Sequence, residues 1–264
     1  MSNDERIREE IRHRFGGDRA TKCLYGWEFV KELGHGAQGT VYLIQKNDQT
    51  RAVKFQEKTT ELDTFYEVAM QIHFYKLNIA PELFLFDSWS HGKNSMMVME
   101  RMDATIESYL FTKRSTKSLE LLLKKVEYLI DYLCEHKIRH NDLHWGNLAL
   151  LNNKVMLIDF GFASSDHQKC FKSVEWYQLA RTLGSRFKKD IEKSNRLFLG
   201  PKVLKKLKEA LKFEGSYVLQ NTRSLNVLKK DISRKILHPK RPKTREKENI
   251  NYSMIRPCSS KKKT

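Results

Sequence analysis

The sequence predicts an α+β protein made of two unlike halves. Three observations carry this: short apolar runs separated by glycines and turn residues between Trp27 and Glu100, one helical-period stretch among them at residues 61–76, and a long amphipathic repeat from Ser118 to His136 that opens a mainly helical second half. A small antiparallel sheet with one inserted helix, followed by helices, is the expected order.

The elements follow in turn. Residues 1–22 are polar and charged and read as an N-terminal extension, either helical or a loose lead-in. Trp27–Leu33, Thr40–Gln45 and Arg51–Gln56 read as strands, with Asn47-Asp48 as the hairpin turn between the last two. Leu62, Phe65, Val68, Ala69 and Ile72 recur at helical spacing. Leu83–Trp89 and Ser95–Glu100 are two further strands, joined at His91-Gly92. Leu119, Leu122, Leu123, Val126, Leu129, Ile130 and Leu133 then line one face of a long helix. A loop (His140–Asn147) and a short strand pair (Leu148–Leu151, Lys154–Ile158) come next. A further helix is expected to open at Pro201, with Val203, Leu204, Leu207 and Leu211 inward. The stretch His238–Thr264 is basic and poor in apolar residues, and is expected to be disordered. The domain of interest is therefore 23–237, its halves at about 23–100 and 103–237.

Charge is unevenly placed. The chain of 264 residues carries +17, but residues 201–264 hold 19 Lys/Arg against 5 Asp/Glu, a net +14, leaving +3 for the rest. The positive field belongs to the C-terminal quarter, whose expected partners are acidic protein or nucleic acid. No apolar run reaches the length of about 18 residues that a membrane helix needs. The charged first residues lack the apolar stretch of a secretory signal, so an intracellular place, cytoplasmic or nuclear, is expected. Cys23, Cys134, Cys170 and Cys258 are far apart and form no metal-ligand pair.

Three constellations carry chemistry. Gly34-His35-Gly36-Ala37-Gln38-Gly39-Thr40-Val41 is a GxGxxGxV run between two strands. Glycines let backbone amides approach phosphate oxygens closely. A strand rather than a helix follows, which speaks against a dinucleotide fold, and no GKS/T run is present. Arg51-Ala52-Val53-Lys54 places a lysine on a strand thirteen residues after Val41. Ile138-Arg139-His140-Asn141-Asp142-Leu143-His144-Trp145-Gly146-Asn147 is followed, twelve residues beyond Asn147, by Asp159-Phe160-Gly161. A carboxylate, an oxygen ligand five residues on and a second carboxylate suit phosphoryl transfer.

In this order and spacing, over roughly Trp27 to Leu183, the chain resembles the eukaryotic-type protein kinase superfamily. It is most similar there to compact Ser/Thr kinases without an APE segment, such as small viral kinases and the small kinase of the tRNA-threonylcarbamoylation complex. The resemblance implies a bilobal α+β fold and an enzyme that uses ATP and magnesium on protein Ser/Thr hydroxyls. Residue by residue, Gly34, His35, Gly36, Ala37, Gln38 and Gly39 would cover the phosphates. Lys54 would pair them, and Glu67 would hold Lys54, with Glu61 as the alternative. Met99 would back the adenine, Glu100, Arg101 and Met102 would form the hinge, and Val41, Ala52 and Ala149 would be apolar walls. Asp142 would orient the acceptor hydroxyl and take its proton, while Asn147 and Asp159 would hold magnesium.

The chain departs from the family pattern in three places. Asn141 stands where kinases controlled by activation-loop phosphorylation carry arginine, which implies activity without that phosphorylation. Only 14 residues separate Gly161 from Trp176 in the expected helix Val174–Ala180, with no APE motif. Glu175 there either takes the structural role of an aspartate or is an exposed helical residue. His144 replaces the usual lysine, so that HNDLHWGN also resembles the HGDLHxGN of aminoglycoside and choline kinases. His144 either contacts the γ-phosphate or fills space beside Trp145. The alternatives to a protein kinase are accordingly a small-molecule kinase or a pseudokinase scaffold with a basic binding tail.

Overall fold

A computed structural model describes residues 1–15, 19–36, 39–57, 60–90, 93–111 and 116–164, together with Glu175, Gln178 and Leu179. Ala37, Gln38, His91-Gly92, the Pro201 helix and the basic tail lie outside the described residues. The described chain divides into two units, one holding Met1–Tyr75 with Pro81–Arg101, the other Lys76–Ala80 with the residues from Met102 onward.

The first unit begins with helix α1 (Asn3–Phe15). Ser2 and Glu5 cap it reciprocally: Ser2 N–H donates to Glu5 Oε2 (2.6 Å) and Glu5 N–H donates to Ser2 Oγ (3.2 Å). Asp4 and Glu5 in the first turn and Arg12, His13 and Arg14 in the last complement the helix dipole. Ile7, Ile11 and Phe15, four residues apart, form one fully buried stripe. Burial of each is worth about 2 kcal/mol. Residues 3–15 are thus helical and packed, and they supply part of the core. A short helix α2 (Arg19–Cys23) follows.

Five antiparallel strands come next: β1 (Glu28–Gly36), β2 (Gly39–Lys46), β3 (Gln49–Glu57), β4 (Leu83–Trp89) and β5 (Asn94–Glu100), in the order β1-β2-β3-β5-β4. Asn47, with φ 52°, makes the β2–β3 turn. Alternation sorts the side chains onto two faces. On one, Phe29, Tyr42, Ile44, Val53, Phe55, Met96 and Val98 pack with Ile7, Ile11 and Phe15 of α1. The other face meets helix α3 (Glu61–Lys76), where Val68, Phe65 and Ile72 pack with Leu83, Phe86, Met97 and Met99. Lys54 belongs to this second face, opposite Val41 on β2 and Met97 on β5.

The second unit contains β6 (Ala104–Thr105), α4 (Ile106–Phe111), α5 (Thr116–Glu135), β7 (Leu148–Leu151) and β8 (Lys154–Leu157), with a sheet order β6-β7-β8. All seven apolar residues expected to line α5 are buried. Its end is a Schellman motif: Ile138 N–H donates to Leu133 O (2.8 Å), Lys137 N–H donates to Cys134 O (3.2 Å), and Lys137 takes φ 57°. That turn aims the chain into the His140 loop. Elements β6 and α4 are absent from the sequence expectation, being too short to show a period. Among the described residues no helix is long and apolar enough to cross a membrane.

Candidate active site

In the first unit, Lys54 and Glu67 are brought together by β3 and α3. Lys54 Nζ donates to Glu67 Oε1 at 2.8 Å, and the two side chains are only 10% and 6% exposed. The second carboxylate oxygen accepts from Gln56 Nε2 (2.7 Å), and Gln56 Oε1 accepts from Ser95 Oγ (3.0 Å). A buried charge is tolerated only when paired and hydrogen-bonded, and this chain of contacts provides both. Of the two glutamates open from sequence, Glu67 is the one that meets Lys54. Gln56 and Ser95 were not anticipated, although Gln56 shares the Lys54 face by lying two residues on.

The glycine hairpin joins β1 to β2, pairing Gly34 with Val41, His35 with Thr40 and Gly36 with Gly39. Its glycines differ in kind. A Cβ at Gly39, which has φ +151°, would lie 1.9 Å from Phe55 O, so close packing of β2 on β3 requires glycine there. Gly34 and Gly36 have nothing within 4 Å of a Cβ position, so side chains there would fill open space over the hairpin. That bare backbone suits phosphate oxygens. Val41 and Ala52 share the Lys54 face; Ala52 pairs with Met99 at the end of β5. Glu100 N–H donates to Glu82 O (2.8 Å), and the division between the units falls between Arg101 and Met102.

In the second unit, the His140–Asn147 loop is tied to the segment after β8 along its length. His140, fully buried, bonds Ile158 O through Nε2 (3.0 Å). A carbonyl only accepts, so Nε2 carries the proton and Nδ1 is left as a buried acceptor without a partner. Desolvation lowers the pKa of this ring, which keeps it neutral. Ile158 N–H in turn donates to Asn147 O (3.0 Å), and Asn147 Nδ2 donates to the Asp142 carbonyl (3.0 Å). Asp142, Asn147 and the residue before Asp159 thereby form one hydrogen-bonded set. Asp159 takes φ 65°, a left-handed conformation that aspartate tolerates better than most residues, and Phe160 beside it is buried against His140.

His144 caps the 3-10 turn Trp145–Asn147: its Nδ1 accepts from Gly146 N–H (3.1 Å), and Nε2 lies 3.9 Å from Asp142 Oδ2. A Cβ on Gly146 would meet Glu107 Oε2 and the His144 ring at 3.0 Å, so a larger residue fits this turn only if those side chains shift by a few tenths of an ångström. Trp145 is buried and donates from Nε1 to Leu179 O (3.0 Å).

Asn141 occupies a left-handed position (φ 63°) and donates from Nδ2 to Phe162 O (2.8 Å) and Ser164 Oγ (2.9 Å). Gln178 closes the other side, accepting from Leu143 N–H (3.0 Å) and donating to Asn141 O (3.3 Å). Arg139 and Ser164 exchange backbone hydrogen bonds at 2.9 and 2.8 Å. Glu175 is 1% exposed and is no surface residue. Its carboxylate lies 3.9 Å from Arg139 Nε, a charge contact rather than a hydrogen bond, and both its oxygens lack donors. Burial pushes its pKa up to about 7, the Arg139 charge pulling it back only in part.

Each unit, taken by itself, carries donors of the kind a magnesium–nucleotide needs. Asn147 commits its amide nitrogen, which leaves Oδ1 as a ligand, and Asp159 adds a carboxylate; both are hard oxygen donors. Lys54 supplies a fixed ammonium. Ala149, buried in β7, and Met102, half-buried at the start of the second unit, are described; Ala37 and Gln38 are not.

Comparison with known proteins adds to this geometry. The family model described as "Protein kinase domain" matches residues 27–185, more than half of the chain. A protein of Acanthamoeba polyphaga mimivirus, L268, named as a serine/threonine-protein kinase, is 25% identical over 174 residues, covering 60% of this chain and 31% of its own. Human serine/threonine-protein kinase greatwall is 27% identical over 144 residues, 52% of this chain and 16% of its own. Zebrafish (Danio rerio) serine/threonine-protein kinase 10 is 27% identical over 152 residues, 53% and 15% respectively. The chain thus spans less than a third of the length of these relatives.

Proposed function

The chain belongs to the protein kinase family, and from that premise we propose that it transfers the γ-phosphoryl group of ATP, with magnesium, to Ser and Thr hydroxyls of protein substrates. The observation that carries this reading is the bonded set of Asp142, Asn147 and Ile158, which ties the loop bearing the Asp142 carboxylate and the Asn147 amide oxygen to the backbone just before Asp159. The relatives' names, all serine/threonine-protein kinases, support a protein acceptor.

Phosphoryl transfer asks mainly for positioning and charge neutralisation. Asp142, half exposed on its loop, orients the acceptor hydroxyl and takes its proton. Lys54, held by Glu67, pairs with the phosphates, and the bare backbone at Gly34 and Gly36 covers them. Asn147 Oδ1 and the Asp159 carboxylate hold magnesium, which when bound neutralises charge on the triphosphate. Asn141 already bonds Phe162 and Ser164 through a neutral amide, so the loop needs no phosphate to order it, and activity without activating phosphorylation follows.

The test is a magnesium-ATP transfer assay with casein, myelin basic protein and the protein itself as acceptors, beside Asp142→Asn. Label on Ser or Thr that disappears in the variant supports the reading. ATP binding without any labelled protein turns it toward a small-molecule acceptor, and no ATP binding leaves a pseudokinase.

A further inference from the structure

Helix α1 precedes residue 27, where the family match begins, so that match accounts for nothing it does. Its apolar stripe explains why it stays on the sheet. Its last turn makes contacts that packing alone does not require.

Arg14 Nη1 donates to Thr40 Oγ1 at 2.8 Å, while Nε and Nη2 both donate to Glu57 Oε1 at 3.1 and 2.8 Å. These are charge-assisted bonds in a partly buried setting, and the Glu57 hydrogen bond raises the Arg14 pKa further. Thr40 follows Gly39, is fully buried, and shares a 2.8 Å hydrogen bond with Nδ1 of His35, its cross-strand partner. Thr40 and Glu57 also flank the Gly39–Gln56 pair, where a Cβ on β2 would run into the β3 backbone. One guanidinium therefore joins the glycine end of three strands: β3 through Glu57, β2 through Thr40, and β1 through Thr40 and His35. The α1 end is itself fixed, since Phe15 O accepts from Trp89 Nε1 (2.7 Å) and Asn94 Nδ2 (2.9 Å).

We propose that Arg14 is a positioning residue for the nucleotide phosphates, setting the glycine hairpin through the relay Arg14–Thr40–His35. Helix α1 is then a built-in part of the nucleotide site, acting from the opposite face of the sheet. This rests on the ATP reading above, and the experiment separates the two.

Arg14→Ala, Arg14→Lys, Thr40→Val and Ile11→Ala are compared in the full chain. Ile11→Ala loosens α1 packing without touching the relay and serves as the stability control. Loss of a charge-assisted hydrogen bond in the relay should raise KM for magnesium-ATP about three- to tenfold in Arg14→Ala, with kcat within about twofold. Thr40→Val should do the same, the double variant should add little, and Arg14→Lys should recover part of the loss. Ile11→Ala should lower Tm and leave KM alone. Without nucleotide, amide exchange at residues 34–41 should quicken in Arg14→Ala and not in Ile11→Ala. An unchanged hairpin exchange rate, or a KM that merely tracks Tm across all variants, overturns the proposal. A wild-type chain that binds no ATP while the exchange effect persists defeats the ATP reading and the nucleotide role of Arg14, leaving Arg14 as the hairpin's clamp.

Discussion

Lys54 and Glu67 meet at 2.8 Å with both side chains almost entirely out of water. Removing one partner strands the other as a buried charge, at a cost of about 3–5 kcal/mol, whereas replacing both with apolar residues is much milder. Lys54→Met should therefore lower Tm, and Lys54→Met with Glu67→Leu should recover most of it. Neither should recover phosphoryl transfer, which ought to fall by about two to three orders of magnitude. Thermal melts run beside the transfer assay check both halves.

Asp142 gives a cleaner separation. Its carbonyl serves Asn147, while its half-exposed carboxylate has His144 at 3.9 Å. Asp142→Asn should keep Tm close to wild type and reduce kcat by about 10²–10⁴-fold, the range for loss of a general base. A variant that both melts early and fails to react would point to a structural role instead.

The hairpin glycines should behave differently from one another. Gly39→Ala drives a Cβ into Phe55 O at 1.9 Å and should unfold or severely destabilise the sheet. Gly34→Ala and Gly36→Ala meet open space, so their Tm should hold while KM for ATP rises. Circular dichroism melts and ATP titration distinguish the two classes.

Glu175 makes stability depend on pH. Its folded pKa is raised to about 7 from the ordinary 4.5, so the folded state holds a proton that the unfolded chain has lost between those values. The contribution is fully present below about pH 4.5, falls as pH rises through about 7, and is flat above, with a span on the order of 3 kcal/mol. Glu175→Gln should remove this slope. Chemical denaturation of both proteins at pH 5, 6, 7 and 8 would show it; parallel curves would contradict it.

Asn141→Ala loses the bonds to Phe162 O and Ser164 Oγ, and should lower kcat about tenfold through a misplaced loop. Phosphatase treatment of the wild type should leave its activity unchanged.

Much of this was legible from local pattern. All the described strands but β6 were expected within three residues of their ends, because period-2 runs bounded by glycines and Asn47-Asp48 leave few choices. Helix α5 was plain from seven apolar residues at one spacing. The order and spacing of Lys54, Asp142, Asn147 and Asp159 carried the resemblance to protein kinases, whose motifs place the same residue types at these intervals. Helix α1 was half visible: Ser2 and Glu5 form a capping box, and Ile7, Ile11 and Phe15 a stripe, yet the surrounding charges masked a segment that belongs to the core. Gln178 could not be read, and Glu175 was left open between a structural and an exposed residue, because their partners lie 35 or more residues away and only the fold brings them to Leu143 and Arg139. Nothing in the sequence joined Trp145 to Leu179, 34 residues on.

A neutral amide that clasps the loop has a further consequence. Phosphatases remove phosphate, and an asparagine side chain offers them nothing to remove. If the proposed reading holds, a chain wired through Asn141 would answer to how much of it is made, where it is carried and how fast it is destroyed. On the proposed reading its output would be set by supply rather than by a phosphate at this loop.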